Sequence, residues 1–295
     1  MKLRSVLKIA TYLFAILPFF SSSNSSNCTY AGSINLGQAA NFVVLGLENG
    51  TVIINSATSI TGDVGYSDGV VSNTNQKVDS FVGTAYVHSG ATFNHTMATY
   101  DPSGGIQTGP GVVDDLLDQA NADALAASAA AAALGPPTHV LGELGDNDNV
   151  VVNSVGTMNI VSLTSLDYKE DVFEISGGPN DFFFINVSGN FEMDNSQIVL
   201  SGVAPSHVLW NFPNASTIDI NKEGNVFRGT ILAPVGSVEY HNPATFEGAI
   251  IAKDIDLHSD FNITHVGFVP EPSSLVLVIF GVATSLGLRQ RCIRS

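Results

Sequence analysis

Four side chains late in the sequence could bind a metal ion. Asp254, Asp256, His258 and Asp260 occupy every second position, and the alternation of a β-strand would place them on one outer face. Carboxylates and an imidazole can bind Ca²⁺ or a transition metal. The same pattern is typical of the solvent-exposed face of a strand in an acidic protein, and this second interpretation is favoured. No other cofactor is expected.

A second pair of acidic residues could support catalysis. Asp219 and Glu239 are candidates for the two carboxyl groups that glycoside hydrolysis requires, which makes a polysaccharide-active enzyme on a β-helix one alternative. The seven histidines are scattered, and neither a Ser/His/Asp order nor a nucleophile elbow accompanies them. The expectation is therefore a protein that is not an enzyme.

The central part of the chain is strongly acidic. Between residues 32 and 268 five basic side chains face 26 acidic ones, a net charge of −21, whereas the whole chain carries −16. Such a surface repels nucleic acid and anionic lipid headgroups, so nucleic-acid binding is excluded. Both cysteines, Cys28 and Cys292, lie near the ends. The body must therefore fold around its own apolar core, without a disulfide.

The first 31 residues predict a signal peptide. Lys2, Arg4 and Lys8 precede the apolar run 9–20, and the polar stretch 21–29 follows. This order of basic, apolar and polar segments is typical of a secretory signal, so signal peptidase is an expected partner.

The last 27 residues predict a sorting tail. A Pro-Glu-Pro motif precedes the apolar run 275–288, and basic residues follow. A basic cluster after an apolar segment favours a cytoplasmic end, yet 14 apolar residues are fewer than the roughly 20 of a comfortable span. The motif residues are Pro270, Glu271, Pro272, Arg289 and Arg291.

In this order and position, residues 269–295 resemble the PEP-CTERM sorting signal of Gram-negative bacteria. The resemblance implies recognition and processing by exosortase. We therefore expect export, transient anchoring in the inner membrane by a C-terminal helix, and delivery to the cell surface or the medium.

Short β-prone runs separated by Gly, Asn, Asp and Ser predict an all-β body. The pattern Phe-x-Gly-x-Ile-x-Ala occurs at 227–233 and again at 246–252, 19 residues later, and looser copies begin at 60 and 81. Repeats of this length favour a β-solenoid, in which equivalent residues of successive coils stack. The glycines permit a tight corner or a close approach of two backbones. A β-sandwich is the alternative.

One segment departs from the β pattern. Residues 112–134 contain neither Gly nor Pro, are rich in alanine, and are followed by Gly135-Pro136-Pro137. They predict a helix with acidic residues in its first turn. Its small residues recur at helical spacing, which predicts a stripe that packs on a flat β face. The stripe consists of Leu116, Leu117, Ala120, Ala124, Ala127, Ala131 and Leu134.

These features together resemble the ice-binding-protein-like domain of bacteria and its choice-of-anchor A relatives. The matching pieces include 34–45, 60–65, 181–185 and 208–212 as well as the Phe-x-Gly repeat. The resemblance implies a mainly β fold over residues 32–268, a discontinuous right-handed β-solenoid with one long α-helix alongside. Apolar targeting helices at both ends complete the prediction.

The expected function is that of an exported, surface-sorted binding or structural protein, associated with exopolysaccharide or another matrix component. Ice binding, as an antifreeze or recrystallisation inhibitor, is the alternative. An ice-binding surface needs a neutral, regular array of small hydroxyl and methyl groups. The absence of Thr-x-Thr and the many acidic residues weigh against it.

Overall fold

The computed structural model describes residues 34–74, 77–95, 99–241, 245–258 and 260–269. The predicted signal peptide and sorting motif lie outside these residues and stay predictions, as do the two terminal apolar helices. Within the described ranges, no helix combines the length and the apolar character that crossing a membrane requires.

The described part of the chain is mostly β-strand. It holds one α-helix, α1 (Val112–Ala132), and two short 3-10 helices, Gly37–Asn41 and Pro205–His207. The strands are β1 (Phe42–Gly46), β2 (Thr51–Ile54), β3 (Ser56–Thr61), β4 (Asp63–Tyr66), β5 (Val71–Thr74), β6 (Lys77–Val82), β7 (Ala85–Val87), β8 (Thr92–His95), β9 (Ile106–Thr108), β10 (His139–Leu144), β11 (Val150–Asn153), β12 (Met158–Lys169), β13 (Val172–Ser176), β14 (Phe182–Val187), β15 (Phe191–Asp194), β16 (Gln197–Ser201), β17 (Val208–Asn211), β18 (Thr217–Asn221), β19 (Val226–Tyr240), β20 (Thr245–Leu257) and β21 (Phe261–His265).

The strands form a three-sided solenoid in which the ladders between coils are parallel. The helix face runs β9-β7-β4-β1-β20-β19-β17-β14-β12-β10. The acidic face runs β8-β5-β2-β20-β19-β18-β15-β12. The neutral face runs β6-β3-β21-β20-β19-β16-β13-β11. The long strands β12, β19 and β20 turn corners, so each serves more than one face.

The solenoid is discontinuous, as the resemblance implied. Val44 of β1 pairs with Val64 on one side and with Ile250 of β20 on the other. Strands β4, β7 and β9 therefore stack on one side of β1. The strands of the later coils stack on its other side, and β20, from the end of the chain order, is the one next to β1. Helix α1 follows β9 in the chain and packs against strands of both sets of coils, from β7 to β19. The sandwich alternative is wrong, because the ladders join equivalent strands of successive coils.

The sequence repeat corresponds to stacked coils. Phe227 pairs with Phe246 and Gly229 with Gly248 in one unbroken register, and the two phenyl rings stack with centroids 4.9 Å apart. Inside the same coils Trp210 is fully buried. Its ring lies edge-on or tilted to those of Phe173, Phe191 and Phe227. Each such side chain contributes about 1.5–3 kcal/mol through burial, so these rings stabilise the contacts between the later coils.

Helix α1 begins where predicted and ends two residues earlier, with Ala133 as its C-cap. Every member of the predicted stripe is buried except Leu116, which is partly buried. Alanines at these positions let the helix lie close to the outer side chains of the helix face, such as Phe184, Leu209 and Ile251. Asn121 and Ser128 are buried on the same side of the helix, which the apolar stripe did not predict.

Candidate functional surfaces

A row of carboxylates crosses the acidic face from coil to coil. Strand pairing aligns five acidic residues side by side on five consecutive strands, and each lies between two buried residues that point into the core. The row consists of Asp167, Glu192, Asp219, Glu239 and Asp256. Neighbouring strands lie about 4.8 Å apart, so each carboxylate faces a like charge, an arrangement that destabilises a sheet.

The environment of two members of this row, Glu192 and Asp219, favours the protonated carboxyl group. Partial burial raises the pKa of Glu192, and the charges of Asp167, Asp194 and Asp219 raise it further. Burial also raises the pKa of Asp219. A hydrogen bond from Asn221 and the charge of His241 oppose this change, and the charge of Glu239 adds to it.

Two histidines follow the row on consecutive coils and differ in their contacts. The rings of His241 and His258 stack with centroids 5.1 Å apart. His258 Nε2 lies 2.6 Å from Asp256 Oδ1, and Asn55 Nδ2 lies 2.8 Å from its other ring nitrogen. His241 Nε2 lies 3.6 Å from Glu239 Oε2. His258 therefore has close partners at both ring nitrogens, whereas the closest carboxylate oxygen to His241 Nε2 is 3.6 Å away. We call Glu239 and His241 the open pair.

Three metal-ligating groups converge at the open pair. One ligand atom each from Asp219, Glu239 and His241 lies within 4.8 Å of the other two, the one such group of three or more His, Cys, Asp or Glu among the described residues. Asp219 Oδ1 is inaccessible to solvent and accepts no hydrogen bond from those residues.

The four residues predicted as metal ligands do not share one strand face. Asp254 Oδ1 accepts a hydrogen bond of 2.9 Å from the backbone N–H of Thr51, and Asp256 contacts His258. Strand β20 ends at Leu257, and Asp260 adopts a left-handed conformation (φ 52°) beyond it. The alternation on which the prediction relied thus stops before Asp260. Metal binding by the four residues stays a prediction.

Asp219 and Glu239, the pair considered for catalysis, are direct cross-strand neighbours. They lie side by side on one outward strand face, whereas glycoside hydrolysis needs carboxyl groups on two sides of the scissile bond. Sequence reasoning did not find the row to which they belong. A signal was present, since an acidic residue between two large apolar ones occurs six times in the sequence, as in Ile218-Asp219-Ile220, and five of these acids form the row.

The neutral face carries a regular array of small side chains, which we call the neutral array. Two outward rows on β6, β3, β21 and β20 flank a buried column formed by Phe81, Ile60, Ile263 and Phe246. The rows are Ser80, Ser59, Asn262 and Thr245, and Val82, Thr61, Thr264 and Glu247. Seven of the eight side chains are uncharged. The array repeats every 4.8 Å or so across the strands and every 6.6 Å or so along them.

The one charge in the neutral array is paired. Arg228 Nε donates a hydrogen bond of 2.9 Å to Glu247 Oε2, and its guanidinium also donates to the carbonyl oxygen of Ile198. Within the array, Ser59 Oγ donates a hydrogen bond of 2.8 Å to Asn262 Oδ1. The neutral array is therefore close to electrically neutral, in contrast to the acidic face.

The described part of the chain is a three-sided parallel β-solenoid that is interrupted in chain order and flanked by helix α1. The sequence matches the family described as “Putative Ice-binding-like adhesive domain” over residues 19–263. The chain belongs to this family.

Solved structures share the fold at low sequence identity. An ice-binding protein from an Arctic yeast superimposes with a TM-score of 0.58 at 20% identity, covering 82% of this chain and 97% of the yeast protein. An ice-binding protein domain from Shewanella frigidimarina gives 0.53 at 17% identity, with 80% and 98% covered. One from the Antarctic ascomycete Antarctomyces psychrotrophicus gives 0.51 at 17%, with 79% and 98% covered. No curated protein matches the sequence significantly.

These matches correct the expected function. The family is ice-binding-like and the structural neighbours are ice-binding proteins, so exopolysaccharide or matrix association as the main function is wrong. That expectation depended on the sorting tail, which concerns where a protein is delivered. The tail carries no information about the ligand of the solenoid.

Proposed function

We propose that this protein binds ice through the neutral array, acting by surface contact and not by catalysis. Membership of an ice-binding-like family supports the activity, as do the ice-binding proteins that share its fold. We assign ice contact to the neutral face because its two rows of mostly uncharged side chains form a regular array.

Hydration distinguishes the acidic face from the neutral face, the two faces on which helix α1 does not pack. Ionised carboxylates hold water strongly, because removing water from a charge costs far more free energy than removing it from a hydroxyl or methyl group. The row on the acidic face would therefore order water around single charges. The methyl and hydroxyl groups of Thr61, Thr264 and Val82 present a regular, weakly hydrated surface instead, and an ice lattice is regular as well.

The test compares threonine-to-glutamate variants on the two faces. Thr61→Glu and Thr264→Glu each place a charge in the neutral array, and Thr217→Glu places the same charge at an exposed position of the acidic face. Thermal hysteresis and inhibition of ice recrystallisation should be present in the wild type, mostly lost in the first two variants and retained in Thr217→Glu.

Two outcomes would contradict the proposal. A wild-type protein that is folded by circular dichroism yet inactive in both ice assays would exclude ice binding. Loss of activity in Thr217→Glu with full activity in Thr61→Glu would assign ice contact to the acidic face.

We further infer that the protein is exported through the signal in residues 1–31 and that its tail, 269–295, is processed after transient membrane retention. The order of the Pro-Glu-Pro motif, apolar run and basic end supports this. Mass spectrometry of the mature protein should find neither terminal segment. An intact C-terminus would contradict processing by exosortase.

A further inference from the structure

We propose that Asp219, Glu239 and His241 form a binding site for a divalent transition-metal ion, with Zn²⁺ as the reference ion. The site lies on the acidic face, opens to solvent, and is separate from the proposed ice contact. It differs from the four-residue prediction, with which it shares no residue.

The fold holds the three ligands on two adjacent strands. Asp219 of β18 and Glu239 of β19 are paired in the parallel ladder, and His241 follows Glu239 by two residues, directly after β19. The ligand atoms already lie within 4.8 Å of one another, so small side-chain rotations would bring them to metal-binding distance. Two carboxylates and one imidazole, with positions left for water, are a ligand set that Zn²⁺ accepts.

The surroundings of Asp219 also favour a bound cation. Its Oδ1 and the Oδ1 of Asp256 are both inaccessible to solvent and accept no hydrogen bond from the described residues, although buried acceptors in proteins are normally satisfied. The oxygen of Asp256 differs in that His258 Nε2 lies 2.6 Å from it. A metal ion held by both Asp219 and Glu239 would offset the repulsion between these two cross-strand carboxylates. Burial makes the ionised form of Asp219 less favourable and so raises its pKa. A bound cation would stabilise the ionised form.

The next coil shows why the site is confined to one place in the row. There the equivalent residues, Asp256 and His258, contact each other at 2.6 Å, and Asn55 contacts the second ring nitrogen. Both ring nitrogens of His258 thus have close partners within the protein. His241 is held less closely, 3.6 Å from Glu239, and can turn toward an ion. The imidazole also selects the kind of ion, since Ca²⁺ and Mg²⁺ prefer oxygen ligands alone.

The experiment is calorimetric titration of the chelator-treated mature protein with ZnCl₂, and separately with CaCl₂, alongside the thermal unfolding midpoint. We expect one Zn²⁺ per chain, a higher midpoint with Zn²⁺, and much weaker Ca²⁺ binding. His241→Ala and Asp219→Asn should each weaken Zn²⁺ binding by about tenfold or more, as the loss even of supporting residues does at metal sites. Asp167→Asn is the matched control, because it removes one charge from the same row two strands away from Asp219, and it should bind Zn²⁺ like the wild type.

Three outcomes would overturn the proposal. They are absence of Zn²⁺ binding by the folded wild type, unchanged affinity in His241→Ala, and equal losses in Asp167→Asn and Asp219→Asn. The last result would mean that cations are attracted by the acidic face as a whole. Circular dichroism of each variant separates loss of the site from loss of the fold.

Discussion

Ser128 Oγ of α1 donates a hydrogen bond of 2.6 Å to Asn211 Oδ1 of β17, a buried contact between residues 83 positions apart. Asn211 Nδ2 in turn donates to the carbonyl oxygen of Ser128 and to Asn186 Oδ1. Asn186 Nδ2 donates to the carbonyl oxygen of Ala131. Two stacked asparagines of the helix face therefore fix the helix along its axis, which an alanine stripe alone does not do.

Removing the central amide should destabilise the protein. Asn211→Ala leaves the hydroxyl of Ser128 without its acceptor and the side-chain oxygen of Asn186 without its donor, and an unsatisfied buried polar group costs about 1–3 kcal/mol. Urea unfolding should show this loss in the free energy of unfolding. Ala130→Ser, on the exposed side of the same helix, is the control and should stay within about 0.5 kcal/mol of the wild type. Equal stability of the two variants would contradict the role assigned to Asn211.

The helix and its buried side could be predicted from the sequence, because alanines at helical spacing all lie on one face of a helix. The sequence was insufficient for Asn121 and Ser128, whose burial depends on acceptors and donors elsewhere in the chain. Asn121, for example, accepts a hydrogen bond from the backbone N–H of Glu48. The partners of such residues become known only when the coils have been placed.

Gly248 should not tolerate a side chain. Its φ is 158°, and a Cβ atom there would lie 1.8 Å from the carbonyl oxygen of Gly229 on the neighbouring coil. Gly248→Ala must therefore shift the backbone of two coils, and we expect a loss of about 1–3 kcal/mol, the usual range for local backbone strain. Gly142→Ala is the control, since a Cβ there meets nothing within 4 Å. Thermal unfolding that ranks the two variants equally would contradict this explanation of the repeat.

The repeat and the carboxylate row were not equally predictable. The Phe-x-Gly-x-Ile-x-Ala copies are joined by a single 19-residue coil, so identity and spacing both reveal them. The five acids of the row are separated by 25, 27, 20 and 17 residues, because the corners between faces differ in length. A search at constant period misses them, and their alignment follows only from the strand registers.

The acidic face should make stability depend on pH. The pKa values of Asp219 and Glu192 are raised in the folded protein above their ordinary values of 3.8 and 4.5. Between the ordinary and the raised values the folded state binds more protons than the unfolded state, so the free energy of unfolding rises as pH falls through this window. Asp219→Asn should reduce this rise and should stabilise the protein at pH 7 by about 0.2–1 kcal/mol, the value of one cross-strand pair.

Asp101→Asn is the control for this prediction, because it removes the same charge from an exposed position away from the row. Asp114 and Asp181 act in the opposite direction. Hydrogen bonds from Ser89 and from the backbone of Gly178 lower the pKa of these two carboxyl groups, so their stabilising effect is lost only as pH falls below 3.8. Unfolding should therefore be measured from pH 7.5 down to pH 4. Equal pH slopes in Asp219→Asn and Asp101→Asn would contradict the role of the row.

Neutralisation of Glu247 by Arg228 should be necessary for full ice-binding activity. Glu247 is the only charged member of the array, and Arg228 neutralises it at 2.9 Å. Arg228→Gln leaves that carboxylate unpaired within the proposed ice contact, so thermal hysteresis should fall about as far as in Thr264→Glu. The double variant Arg228→Gln with Glu247→Gln has no charge at the same place and should recover most of the activity. Recovery of activity in the double variant would show that the charge of Glu247, and not the lost packing of Arg228, reduces activity. Both variants lose the same guanidinium contact with Ile198. If the double variant is as inactive as the single one while remaining folded, the neutrality of the array is not what ice contact requires.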